Sequence, residues 1–164
     1  MDLTKDFKTE FMTNEALQNL ISSWISELEF TEESSEFLNI TVKAEQLHQL
    51  MSQLKSNTET NFDYLFCLTG IDWGKELGVI YHLESTTHRH IIVVKVQTED
   101  RENPTFDSVC DIWKTADFHE REVFDFFGIK FNNHPNLKRL FLTDEWEGFP
   151  LRKDYVDEIN MVIK

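Results

Sequence analysis

Cysteine, glycine, proline, basic charge and long apolar runs are all scarce in this chain, and each scarcity closes off a class of protein. There are two cysteines, Cys67 and Cys110, with no CxxC and no zinc-finger spacing. An iron–sulfur cluster usually takes about four thiolates, so the chain is short of ligands for one. The five glycines, Gly70, Gly74, Gly78, Gly128 and Gly148, never assemble the G-x-G-x-x-G of a dinucleotide site or the glycine–lysine pattern of a P-loop. Sixteen basic residues against 30 acidic ones leave a net charge of −14. That balance excludes a phosphate-binding surface for nucleic acid and electrostatic docking on an anionic leaflet. Apolar runs such as Ile91 to Val94 stop far short of the roughly 20 residues a membrane span needs. The first residues, MDLTKDFKTEFMTNE, lack the basic and apolar regions of a secretory leader. The expectation is a soluble, cytoplasmic chain that meets a membrane only through partner proteins.

What is present suits a packed domain. The 164 residues are 40% hydrophobic and 13% aromatic, with 14 Phe. Chains of this size bury about 68–70% of their unfolded surface and need no disulfide or metal to fold. Leu17, Leu20, Ile21, Trp24, Ile25 and Leu28 repeat at helical spacing, with Thr13 or Asn14 as cap. Leu38, Ile40 and Val42 alternate as in a strand, and Leu47, Leu50, Met51 and Leu54 mark a second helix ended by Ser56-Asn57. Three strand-like runs follow, Phe62 to Ile71, Gly78 to Glu84 and His90 to Thr98, joined by short connections that predict an antiparallel meander. Phe106 to Trp113 is ambiguous. Ala116 to Phe127 reads as a helix with Gly128 just past its end. The fold expected is α+β: a two-layer domain over residues 1–128, with a mainly antiparallel sheet and helices. An irregular, extended C-terminal arm occupies residues 129–164.

The densest polar cluster, His119-Glu120-Arg121-Glu122 with Asp125, invites three chemistries. A helical zinc site of the HExxH kind needs a second imidazole at i+4, and Val123 stands there; the next histidine, His134, lies outside the helix. That leaves a metal-dependent hydrolase built on His119, Glu120 and Glu122 as a remote alternative. Acid–base work by paired carboxylates is opposed by geometry, since Glu120, Glu122 and Asp125 do not share one helical face; Arg121 and Asp125, four apart, are expected to pair instead. A redox cofactor lacks both its cysteines and its glycines. No catalytic, cofactor-binding or metal-ligating residue is expected.

Beyond Gly128 the periodicity fails. Turn formers (Asn132, Asn133, Pro135, Gly148, Pro150) alternate with large apolar residues (Leu137, Leu140, Phe141, Leu142, Trp146, Phe149, Leu151). Such a segment is too apolar to float free in water. It packs either on its own domain or on a partner.

The stretch from His119 to Tyr155 closely resembles the signature of the C-type subunit of complex I, the proton-translocating NADH:quinone oxidoreductase. Glu120, Arg121, Glu122, Phe124, Asp125, Phe127, Gly128, Ile129 and Phe131 match its first part. His134, Pro135, Leu137 and Arg139 match the second; Asp144, Trp146, Gly148, Pro150, Leu151, Arg152, Lys153, Asp154 and Tyr155 match the third. Weaker likeness runs upstream through Leu68 to Trp73 and the two following strands. Phe124 and Phe149 depart from the pattern, standing where Tyr and His are common. The resemblance implies a cofactor-free subunit of the hydrophilic arm, peripheral to the cytoplasmic side of a bacterial inner membrane. It would pack against the D-type subunit, which holds the quinone site, and near the cluster-bearing B- and I-type subunits. It also implies that Phe131 to Tyr155 is an interface arm, anchored by Trp146, Phe149 and Leu151 with Arg152, Lys153 and Asp154 making polar contacts. The equivalent subunit of a related membrane-bound hydrogenase, or of a ferredoxin- or F420-dependent complex, would carry the same motif. Besides the hydrolase alternative, a free-standing binding module with a peptide-like arm is a reading that stands outside that superfamily.

Overall fold

The computed structural model describes residues 12–25, 27–31 and 35–157. The leader reading of the first residues and the last part of the arm fall outside that set. Helix α1 (Asn14–Ser22) begins where the Thr13 hydroxyl accepts the Ala16 N–H at 3.2 Å. Apolar periodicity runs on to Leu28, but the helix stops at Ser22. The hydroxyls of Ser22 and Ser23 donate back to the carbonyls of Gln18 and Leu20, and the Trp24 N–H turns to Ile21. Hydroxyls bonded to the preceding turn compete with helix propagation. Ile25 is buried all the same.

Strands β1 (Glu29–Phe30) and β2 (Leu38–Thr41) precede helix α2 (Leu47–Ser56). The meander then runs β3 (Tyr64–Asp72), β4 (Leu77–Ser85), β5 (His90–Thr98). The five strands form one sheet in the order β1-β2-β5-β4-β3. Its pairings are antiparallel except β2 with β5, where Leu38 to Thr41 lie parallel to Ile92 to Lys95, so the sheet is mixed. Turn chemistry fixes the meander's register. Gly74, at φ 96°, donates its N–H to Asp72 Oδ1 at 2.7 Å, and Arg89 closes the second hairpin on Ser85 at 2.7 Å. Only a residue without Cβ takes such a φ freely.

Strand β4 shows how the core is built. Val79, Tyr81 and Leu83 are fully buried while Ile80, His82 and Glu84 are half-exposed, as a period of two requires. Helix α2 buries Leu47, Leu50, Met51 and Leu54 completely. Each such side chain contributes about 1.5–3 kcal/mol relative to exposure.

Beyond the sheet, β6 (Thr105–Asp107) pairs in parallel with β7 (Lys130–Asn132), Phe106 beside Phe131. Between them lies α3 (Ala116–Phe127). Its first turn is tied to the sheet by Thr115 Oγ1, which donates to the Leu65 carbonyl at 3.0 Å. Its last turn rests on β3, where a Cβ on Gly70 would come within 2.5 Å of the Phe127 ring. Helix α3 thereby turns Glu120, Arg121 and Asp125 into the protein.

Candidate functional site

Part of the set singled out in the sequence, Asp125, Gly128, Arg139, Gly148 and Arg152, gathers around the last turn of α3, in charged clasps that hold the segment after Gly128 to the body. Gly128 ends the helix at φ 69°, and a Cβ there would lie 2.4 Å from the Phe149 ring. Both the backbone and the packing demand glycine.

Asp125 is the centre of the first clasp. It is fully buried, and one oxygen accepts three successive backbone N–H groups, from Leu140 at 2.9 Å, Phe141 at 2.7 Å and Leu142 at 3.0 Å. The other oxygen meets Arg139 Nη1 at 2.9 Å. Burial pushes this carboxyl up, but the three amides and the guanidinium outweigh burial and hold it below its usual value. The expected pairing of Arg121 with Asp125 is therefore corrected. Arg121 instead donates to the carbonyls of Lys138 and Arg139, each at 3.2 Å, and lies over the Phe118 ring. Helical spacing allowed the pair; the returning chain offered Asp125 a better one.

Arg139 and Arg152 make the second clasp. Arg139 also donates to the carbonyls of Trp146 at 3.0 Å and Gly148 at 3.2 Å. Arg152 donates to the carbonyls of Phe127 and, at 2.8 Å, Arg101. The two guanidinium groups lie over the Phe149 ring, 5.5 and 4.8 Å from its centre, and Phe124 meets it edge-on. Cation–π contact of this kind is worth about 0.5–2 kcal/mol. Phe149 is thus an internal anchor.

The third clasp reaches back to the sheet. Asp72, at the end of β3, takes a bidentate pair from Arg101 at 2.8 and 2.9 Å and the Lys153 N–H at 2.8 Å. Arg101 also meets Asp154 at 3.0 Å. The Arg101 guanidinium holds the Asp72 carboxyl far below the usual carboxylate range. Neither Asp72 nor Arg101 was singled out from the sequence. Asp72 at least lay within a stretch of weaker likeness, while Arg101 sat in a polar loop with no signal.

Glu120 belongs to a separate cluster. Fully buried, it accepts from Ser108 Oγ at 2.6 Å, the Val109 N–H at 2.8 Å and Cys110 Sγ at 3.3 Å, with His134 Nε2 4.0 Å away. Burial, the dominant influence, raises its carboxyl above the usual value. Burial likewise pushes the Cys110 thiol up to about 12.

The clasps leave an apolar surface on the outside. Phe141 (62% exposed) stacks on Phe126 with ring centres 5.6 Å apart, and Leu151 (55%), Trp146 (37%) and Val156 (65%) stand in solvent. Leu151 is held in place by its own N–H, which donates to the Phe126 carbonyl at 3.1 Å. Glu122, on the outer side of α3, and Asp144 are exposed, and Pro135 and Pro150 occupy turns. Gly148, at φ 79°, lets Tyr155 approach to within 2.9 Å of where a Cβ would sit.

The family described as respiratory-chain NADH dehydrogenase, 30 Kd subunit, matches residues 40–159. The C/D polypeptide of the NADH-quinone oxidoreductase of Phocaeicola vulgatus is 52% identical over 122 residues, covering 74% of this chain and 23% of that protein. The C polypeptide of the NADH-quinone oxidoreductase of Roseiflexus castenholzii is 42% identical over 127 residues, covering 74% of this chain and 72% of the relative. The chain thus spans about a quarter of the length of the C/D relatives it matches. Among solved structures, a chain of the membrane-bound sulfane sulfur reductase, an archaeal respiratory membrane complex, superposes with a TM-score of 0.74. It shares 27% identity, and the match covers 88% of this chain and 86% of that one.

Proposed function

The chain belongs to the family of the 30 Kd subunit of the respiratory-chain NADH dehydrogenase, and on that premise we propose that it works as the C-type subunit of a proton-translocating NADH:quinone oxidoreductase. Its contribution there is architectural: it carries no electrons and positions the quinone-site D-type subunit beside the cluster-bearing B- and I-type subunits. Residues 129–164 act as the interface arm. The complex sits on the cytoplasmic side of the membrane, and this subunit reaches the membrane through its partners; no helix among the described residues is long and apolar enough to cross one.

The observation that carries this reading is the presentation of Phe141, Trp146, Leu151 and Val156 on a segment clamped by buried charge. An exposed apolar set held rigid loses little entropy on docking, and aromatic residues dominate interface energetics. Relatives named C/D, in which one polypeptide carries both designations, support the D-type subunit as the neighbour.

Co-purification tests it. A chain with Phe141→Asp and Leu151→Asp should still fold, because both positions are exposed, with a loss of about 1–2 kcal/mol that comes mainly from the Phe126–Phe141 stack. It should fail to recover the quinone-site subunit from membranes that yield it with the parent chain. Full recovery of that neighbour would end the proposal.

The likeness to a sulfane sulfur reductase chain favours one second reading, the equivalent subunit of a related complex with another electron donor. The purified complex separates them: NADH oxidation coupled to quinone reduction supports the first, and its absence with another donor active supports the second.

A further inference from the structure

Three segments distant in sequence converge on one buried point that the clasps do not use. The parallel pairing of β6 with β7 sets the turn Ser108–Cys110 beside Asn132–His134, with the Ser108 N–H on the Asn132 carbonyl at 2.9 Å. The first turn of α3 adds Asp117 and Glu120, three apart and so on one face. Cys110 Sγ, Glu120 Oε2 and His134 Nε2 all lie within 4.8 Å of one another. The His134 and Glu120 side chains are fully buried.

We infer that Cys110, Glu120 and His134 form a structural zinc site, in which a redox-inert divalent cation would staple α3 to the two loops that follow β6 and β7. A sulfur–nitrogen–oxygen set selects a borderline-soft cation over magnesium or calcium. Tetrahedral zinc, with bonds of about 2.0–2.3 Å, spaces its ligands about 3.3–3.8 Å apart. The sulfur–oxygen pair stands at 3.3 Å, the nitrogen–oxygen pair at 4.0 Å and the sulfur–nitrogen pair within 4.8 Å, so the sulfur–oxygen edge already fits and the imidazole would have to draw in on loading. Asp117 Oδ1, buried and without a hydrogen-bond partner among the described residues, lies 3.5 Å from the same nitrogen as a fourth donor.

A second observation points to the same place. The Tyr81 hydroxyl is fully buried on β4 and has no hydrogen-bond partner among the described residues, a costly state for a polar group. Burial above all, and then the charges of Glu120 and Cys110, oppose its ionisation, which sets it within electrostatic reach of the cluster. In the metal-free chain Cys110 donates to Glu120. Once it gives up its proton and binds a cation, its sulfur becomes an acceptor, and the unpartnered Tyr81 hydroxyl would be a donor available to it. Ser108 and Val109, which keep hold of Glu120, would orient that ligand as outer-shell donors do.

Loading carries a defined proton count. The Cys110 thiol releases one proton to solvent as sulfur bonds to the metal. His134 Nδ1 accepts the Asn136 N–H at 3.0 Å, so its proton rests on Nε2 and is directed at the Asp117 carbonyl 3.1 Å away. To bind through Nε2 the ring must shift that proton to Nδ1, which displaces the Asn136 amide. Zinc entry therefore has a local signature at the Asn136 amide, separate from that of the thiol itself.

The full chain, stripped with a chelator and titrated with Zn²⁺, should bind one equivalent, release a proton, and shift the Asn136 amide resonance. Co²⁺ in its place should give a sulfur-to-cobalt charge-transfer band. Cys110→Ser should abolish that band, and Tyr81→Phe should weaken zinc binding about 10–100-fold, the usual effect of an outer-shell partner. Mg²⁺ should do none of this. No stoichiometric uptake by the unaltered chain, or uptake that leaves the Asn136 amide unmoved, would overturn the site. Both readouts are made on the natural sequence and need no variant to fold.

Discussion

Two carboxylates on one helix, Glu120 and Asp125, are both closed off from solvent, yet one is raised and the other lowered from its ordinary value. Asp125 is surrounded by three backbone amides and a guanidinium, all arriving from the chain after residue 128. Glu120 receives a hydroxyl, one amide and a thiol, with the His134 ring as the basic group 4.0 Å away. Burial opposes both charges and weighs more heavily on Glu120, and the partners that come to meet the two carboxylates differ as well. The end of α3 is thus built to keep an ion pair, and its beginning to hold a reluctant carboxyl among neutral donors.

The strongest way to break this contrast is Asp125→Ala. It leaves Arg139 without its counter-ion and three amides without an acceptor. A loss on the order of 3–5 kcal/mol is expected in urea unfolding of the full chain. Glu120→Gln keeps the shape and one acceptor oxygen for the Val109 amide, but puts an NH2 where Ser108 and Cys110 donate, so it should cost on the order of 1–2 kcal/mol. A loss equal to that of Asp125→Ala would erase the distinction.

The pH dependence sharpens the comparison. Asp125 and Asp72 have folded values below their unfolded ones, so their contribution is present above an unfolded value of about 3.9 and is lost as pH falls toward the folded values. Glu120 has a folded value above its unfolded one. Its penalty is absent below about 4.3 and grows as pH rises through that value toward the folded one. Urea midpoints measured across acid pH should therefore fall less steeply on acidification for Asp125→Asn than for the parent. Over the same range Glu120→Gln should gain on the parent as pH rises. A Glu120→Gln difference that stays flat would mean its carboxyl is as comfortable ionised as in water.

The smallest effect expected is at Arg101. Arg101→Lys keeps the charge but loses the two-point grip on Asp72, and a destabilisation of about 1 kcal/mol should follow. Its useful readout is hydrogen exchange at Lys153, which should quicken while the sheet amides stay protected.

Much of the body was legible from sequence. The meander followed from alternation and turn residues, and α3 with Gly128 from periodicity and the need for positive φ. Helix α1 ran short because Ser22 and Ser23 bond backwards, a contest that apolar spacing does not register. The parallel seam between β2 and β5 was hidden because strand order is set by packing across distant segments. The motif residues stood out as a group, but their pairings did not. Arg139 reaches Asp125 across a loop, and Lys153 reaches Asp72 across 81 residues. Such distances leave no local trace. The likeness to the C-type subunit of complex I, which implied a family, holds.

The bond from Lys153 to Asp72 sets an order of events during synthesis. A ribosome delivers the β3–β4 hairpin long before it delivers Lys153, so a nascent chain carries an Asp72 whose second oxygen has Arg101 alone to meet it. The outward face at Phe141 and Leu151 lies on chain delivered later than the hairpin. Prematurely terminated copies would thus display the sheet without the surface that follows it.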